Sequence, residues 1–209
     1  MSDTIHLLRK DLLLLLRYAW IILLFAFVFS GLFGNSPQIG LLPAMLFILN
    51  MNADIRSTGR QFIVTLPVPR ATIVLAKYMS SVLLITAGLA ISMAVNWIGA
   101  KIQGIAFGFE PAYLGQTLLF LIILAAVYTP LYYWLSSINT FVINVVFIIL
   151  MTIGNQLVYQ LYTGAVHIGV VNALAVYPLI GPAIAAIITL ALLIGSYHLS
   201  KNIYLRKDI

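Results

Sequence analysis

The chain contains no cysteine, which excludes disulfides, thiol nucleophiles and thiolate metal sites. It is also poor in charge. Asp, Glu, Lys and Arg make up 8% of its residues, where a soluble domain carries about a quarter. Acids are rarest: Asp3, Asp11, Asp54, Glu110 and Asp208 are the full set, and no two are spaced as a pair for general acid–base work. The histidines, His6, His167 and His198, are scattered, and there is no H-E-x-x-H. No lysine follows a glycine, so the G-x-x-x-x-G-K-[ST] loop that cradles nucleotide phosphates is missing. The acids lie outside the expected membrane centres, whereas proton- or sodium-driven carriers keep an ionisable group within the bilayer. These absences disfavour an intramembrane enzyme and an ion-coupled carrier. They leave the chain with no cofactor site and no energy source of its own.

What it has in abundance is apolar surface. Of 209 residues, 63% are hydrophobic, and the mean hydropathy is +1.09. A soluble fold of this size has too little core to hide so much, so the bilayer is the natural solvent. The net charge of +6 is then read by where it falls along the chain, and not as a nucleic-acid footprint. The first apolar run is long, is flanked by Arg9, Lys10, Asp11 and Arg17, and leads to no small-x-small site. A cleaved signal peptide is not expected.

At 100° per residue, Asp3, His6, Lys10 and Arg17 fall on one narrow stripe, and Ile5, Leu8, Leu12, Leu15 and Leu16 fall away from it. This predicts an interfacial amphipathic helix over 1–17, with His6, Arg9, Lys10 and Arg17 as its basic side chains. The alternative is the cytosolic start of the first span. Six spans follow by length and hydropathy, near 18–34, 38–53, 72–99, 112–134, 138–160 and 180–200. The second is short and holds Pro43 in its first half. Pro69 suits the start of the third, and Pro130 is expected to kink the fourth. With the N-terminus inside, the inner segments hold Arg9, Lys10, Arg17, Arg56, Arg60, Arg70, Lys77, Lys201, Arg206 and Lys207, and the outer ones only Lys101. That asymmetry places both termini in the cytosol and requires an even number of crossings. The expected fold class is an all-α integral membrane protein: one transmembrane domain over 1–209, an interfacial helix and six transmembrane helices.

Two segments fall between the spans. The run 161–182 is too apolar for an open loop and too broken by Gly and Pro for a clean span, so a re-entrant or surface-lying outer piece is expected. A poorly marked span is the alternative. The stretch from Asn52 to Lys77, NADIRSTGRQFIVTLPVPRATIVLAK, holds four of the eleven Lys and Arg and one of the five acids. Its cytosolic part, 54–70, is the one sizeable feature there that a partner could grip. Phe62 and Ile63 suit an apolar groove with Arg56 and Arg60 at its rim. Asp54 is the acid available to meet a basic partner residue, and Leu66 closes the contact stretch. Pro67 and Pro69 stiffen the turn into the third span, so displacement is transmitted. The arginines can also be read as simple topology signals. Within the spans, Asn144, Asn155, Gln156 and Gln160 are candidates for the lining of a translocation path. Interhelical hydrogen bonding, worth roughly 0.6 kcal/mol each, is the alternative for them. The fifth span, which carries them, is expected to be central.

LLRKDLLLLLRY (Leu7–Tyr18) and FIVTLPVPRATIVLAKYMSS (Phe62–Ser81) resemble two stretches of the ABC-2 family of ATP-binding-cassette permeases: its basic, Lys-Asp, leucine-rich N-terminal helix, and the motif between its second and third spans. The likeness covers essentially the full length. Family members commonly carry several acids ahead of that motif, where here Asp54 stands alone. The resemblance implies a type V exporter-like fold and a permease that is not itself an enzyme. It implies a homodimer, or a heterodimer with a close relative, capped by two separate ATPase subunits that bind ATP and Mg. The loop would ride in a groove on each ATPase and pass its movement to the spans. The small relatives include exporters of amphipathic peptides such as bacteriocins and phenol-soluble modulins, in the bacterial cytoplasmic membrane, and others move lipids or drugs. Two further readings stay open: a membrane substrate-binding or assembly module that does no pumping, and an intramembrane enzyme.

Overall fold

The computed structural model describes residues 2–16, 19–26, 39–53, 68–104, 110–135, 140–163 and 180–206. These form helices α1 (Ser2–Leu16), α2 (Ala19–Ala26), α3 (Leu41–Ala53), α4 (Arg70–Gln103), α5 (Pro111–Leu135), α6 (Thr140–Tyr162) and α7 (Ile180–Arg206). No described residue is in a strand. Four of the helices, α4 to α7, are long and apolar enough to cross a membrane. The described part of α2 and the 13 residues of α3 are shorter.

The sorting of side chains is that of a bundle solvated by lipid. Trp134, Phe141, Ile187 and Leu190 stand at least three-fifths exposed, while Asn50, Lys77, Ser92, Asn96, Thr117 and Ser200 are buried. In water this arrangement would waste the hydrophobic effect. In hydrocarbon it is the stable one, because polar groups find partners only inside the protein.

The start of α4 follows from its sequence. Pro69 is the N-cap, and its carbonyl accepts from the backbone N–H of Thr72 at 2.9 Å. The helix ends on Gly104, whose φ of 69° is the left-handed conformation that glycine adopts without strain. At 34 residues α4 is roughly 50 Å long, more than a hydrocarbon core of about 30 Å needs. Both ends therefore project, and the charge-free stretch 78–100 is flanked by Lys77 and Lys101. Lys101 sits 4.9 Å over the Trp97 ring, an aromatic–cation pair suited to a membrane interface.

The short helix α3 is the centre of the core. Ala44, Phe47 and Met51 pack with Ile85 and Leu89 of α4, Leu121, Ala125, Tyr128 and Tyr132 of α5, and Phe147 and Met151 of α6. Its other face zips antiparallel along α4. Pro43 meets Gly88, Leu46 meets Leu84, and Asn50 meets Lys77 and Ser80. A Cβ at Gly88 would lie 2.6 Å from the Cα of Pro43, so these helices touch backbone to backbone, as small residues permit in membranes. At about 20 Å, α3 does not span a full hydrocarbon core. Burial among its neighbours is what makes that length tolerable.

The expectation that the 138–160 span is central does not hold within one chain. The corresponding helix, α6, packs on α5 and α3 and leaves Phe141, Val145, Ile149 and Ile153 exposed. The hub is α4, which packs against α1, α2, α3, α5 and α7. Of the outer segment expected over 161–182, residues 161–162 belong to α6, which runs to Tyr162, and 180–182 to α7, which starts at Ile180. Residues 164–179 lie outside the described residues.

Candidate functional site: an ionic junction at the ends of the loop

One end of the bundle gathers the basic residues. The C-terminus of α3, the N-terminus of α4, the C-terminal half of α5, the N-terminus of α6 and the C-terminal half of α7 meet there. The hydrogen bonds Lys77–Asn50, Tyr132–Met51, Tyr128–Asn144 and Tyr78–Ser200 fix this grouping. Arg70, Lys77, Lys201 and Arg206 lie on its helices, while Lys101 closes α4 at the opposite end.

Lys77 is a buried charge at this end. It lies about 10 Å along α4 from Arg70 and is 4% exposed. Its ammonium donates to the carbonyl oxygen of Asn50 at 2.7 Å and to Asn50 Oδ1 at 3.2 Å, and lies 3.6 Å from Asp11 Oδ2. Three acceptors thus meet three N–H donors. Lys77 can only donate, so the Asn50 amide must turn its oxygen to it. That frees Asn50 Nδ2 to donate to Ser80 Oγ at 3.0 Å. Ser80 and Ser81 in turn donate to the carbonyl of Lys77 at 3.0 and 2.7 Å.

The reason for the arrangement is the end of α3. A helix leaves its last four carbonyls without intrahelical partners, and in the last turn of α3 Asn50 and Met51 are buried. Lys77 takes the carbonyl of Asn50, and the Tyr132 hydroxyl donates to that of Met51 at 2.7 Å. A cation at a helix C-terminus also meets the negative end of the macrodipole. The charge is balanced by Asp11, which is 3% exposed on α1 and lies 3.3 Å from Lys10 Nζ as well. Asp11 follows Leu7 by one turn, and both are buried. His6, Arg9, Leu12 and Leu13 are exposed and Lys10 is half-buried. Arg17 lies outside the described residues.

The junction therefore ties three separate parts of the chain at one point. Asn50 and Lys77 stand on either side of the segment 54–67, and Asp11 brings in the N-terminal helix. The expected contact residues of the loop, Asp54, Arg56, Arg60, Phe62, Ile63, Leu66 and Pro67, all lie outside the described residues. What the structure supplies is the contact between α3 and α4, the helices that flank their segment.

The four neutral polar candidates on α6 divide. Asn144 accepts from the Tyr128 hydroxyl at 2.6 Å and donates to Asn52 Oδ1 at 3.2 Å, fastening α6 to α5 and α3 near the junction. Asn155, about 16 Å along α6, is buried, and a Cβ at Gly40 would lie 2.7 Å from its Oδ1. Asn155 and exposed Gln156 line an open cleft of about 330 Å³ with Leu41, Thr152, Ile153 and Leu157. Gln160 is half-buried one turn beyond.

The whole chain bears out the resemblance carried by its two motifs. Residues 6–205 match the family described as ABC-2 family transporter protein. The chain belongs to the ABC-2 transporter family. This ABC-2 protein is thus a multi-pass membrane permease, and its family implies partnership with an ATP-binding-cassette subunit. No curated protein and no solved structure matches it.

Sequence reasoning missed Asp11, Asn50 and Tyr132. Asp11 was available as a signal: an acid on the apolar side of α1, in a chain with five acids, asks for a buried cation. Asn50 and Tyr132 carried no comparable mark.

Proposed function

We propose that this permease is the membrane subunit of an ATP-driven exporter, driven through the cytosolic loop 54–70. The observation that carries the reading is the Lys77–Asn50–Asp11 junction. A chain without a nucleotide site must take its work from outside. The helices on either side of the loop, α3 and α4, are locked to each other and to the N-terminal helix, so a push on the segment is passed to them together. In this reading the basic end faces the cytosol, α1 lies in the membrane interface with Leu12 towards the acyl chains, and the chain crosses the membrane six times. Two copies assemble with two ATPase subunits, which hold the ATP and Mg. The cargo is an amphipathic peptide or another amphiphile, in a bacterial cytoplasmic membrane, a choice resting on likeness to the family's small exporters.

Phe62→Ala should loosen the complex with the partner ATPase by about 2 kcal/mol, the cost of truncating a buried anchor. Arg56→Glu should weaken it more than Arg56→Ala, because repulsion adds to lost attraction. Asp54→Ala should weaken it as well. Affinities of the purified subunits in nanodiscs check this, with Gln103→Ala at the opposite end as control. If the loop variants match that control, the segment is only a tether.

A further inference from the structure

Pro130 lies inside α5 and has no N–H, so the carbonyl of Ala126, four residues earlier, loses its helical partner. Ala126 and Pro130 are both buried in the bundle, where an unmet carbonyl is costly. The partner comes from another helix: Ser196 of α7 donates its hydroxyl to the Ala126 carbonyl. Ser196 Oγ also lies 2.6 Å from the hydroxyl of Tyr78 on α4, which lies 2.8 Å from Ser200 Oγ on α7.

The chemistry fixes the direction of this chain. A carbonyl only accepts, so the Ser196 proton is committed to Ala126. Tyr78 must then donate to Ser196, and Ser200 to Tyr78. The result is a single ordered run, Ser200 to Tyr78 to Ser196 to Ala126, in which each bond polarises the next. Tyr78 is 6% exposed, Ser200 fully buried and Ser196 half-buried.

We propose that Pro130 makes α5 a hinged helix and that Ser196, Tyr78 and Ser200 are the positioning residues that latch the hinge. Tyr78 directly follows Lys77 on α4. A displacement delivered at the loop junction therefore moves the latch, and the latch sets the bend of α5 relative to α7. The role in transport rests on the exporter reading above, but the capping of Ala126 does not.

A double-mutant cycle tests both parts. Ser196→Ala should lower the unfolding temperature of the permease in nanodiscs by roughly 2–4 °C. Pro130→Ala returns an N–H to Ala126, so most of that loss should vanish when Ser196→Ala is made in the Pro130→Ala background. Pro130→Ala alone should leave the unfolding temperature equal or higher, yet make the permease-dependent change in the partner's ATP hydrolysis several-fold smaller. A merely structural proline would not lower one while keeping the other. An equal loss from Ser196→Ala in both backgrounds overturns the cap. Unchanged hydrolysis in a Pro130→Ala complex overturns the hinge. If the wild-type permease does not alter hydrolysis at all, the exporter reading falls and takes the hinge's transport role with it, while the unfolding temperatures still decide the cap.

Discussion

Lys77→Ala should destabilise the permease by about 3–5 kcal/mol, the usual loss when one partner of a buried ion pair is removed. The truncation leaves the Asp11 carboxylate buried beside Lys10 alone and strips the carbonyl of Asn50 of its donor at the end of α3. Asp11→Ala should cost a comparable amount, since the ammonium then lacks its counter-charge. The double replacement Asp11→Leu/Lys77→Met should lie closer to wild type than the sum of the singles, because apolar side chains of similar size remove both desolvation costs at once. Unfolding of the purified protein in lipid nanodiscs measures this. Additive single and double losses would mean that the two charges do not depend on each other.

Gly88→Val is expected to be the other large effect, and it acts through the same seam. A Cβ at that position meets the Cα of Pro43 at 2.6 Å and its Cβ at 2.9 Å. Backbone cannot step aside as a side-chain tip does, so α3 and α4 must part. Overpacking of this kind costs about 1–3 kcal/mol for alanine, and the branched valine should exceed it. Gly88 lies three turns from Lys77 on the same face of α4, so parting the helices there also draws Asn50 away from the ammonium. By contrast, nothing lies within 4 Å of a Cβ at Gly115 or Gly195. Gly115→Ala and Gly195→Ala should therefore leave the unfolding temperature near that of wild type. A Gly88→Val protein as stable as these controls would show that the close approach is not required.

The long helices were legible because their signal is local. The apolar runs behind α4, α5, α6 and α7 each exceed what a bilayer needs, and Pro69 marks the start of α4. Pro43 and the short run after it were readable as a short span, but not as the centre of the core, because that depends on which neighbours close round it. Lys77 was visible as a charge at the start of a span, where keeping the loop inside explains it as well as any contact does. Its burial could not be read, since the compensating groups come from α1 and α3, more than twenty residues away in the chain. Asp11 stood off the polar stripe of Asp3, His6 and Lys10, which marks it as an acid in need of a cation, but only the fold reveals that the cation is Lys77. The latch on Ala126 was hidden for the same reason. Pro130 announces a missing N–H, but nothing in the sequence says which serine answers it.

The junction's role in coupling, as distinct from its role in stability, is tested most directly by the ATP hydrolysis rate of the partner subunit, measured alone and with the permease in nanodiscs. Asp11→Leu/Lys77→Met is the informative variant, since it is expected to fold and insert. With the wild-type permease the hydrolysis rate should change on binding. With the double variant the partner should still bind through Phe62 and its neighbours, but its rate should return to that of the free subunit, because α4, which follows the loop, is no longer locked to α1. A double variant that alters hydrolysis as the wild type does would contradict the proposed route of energy into the membrane helices.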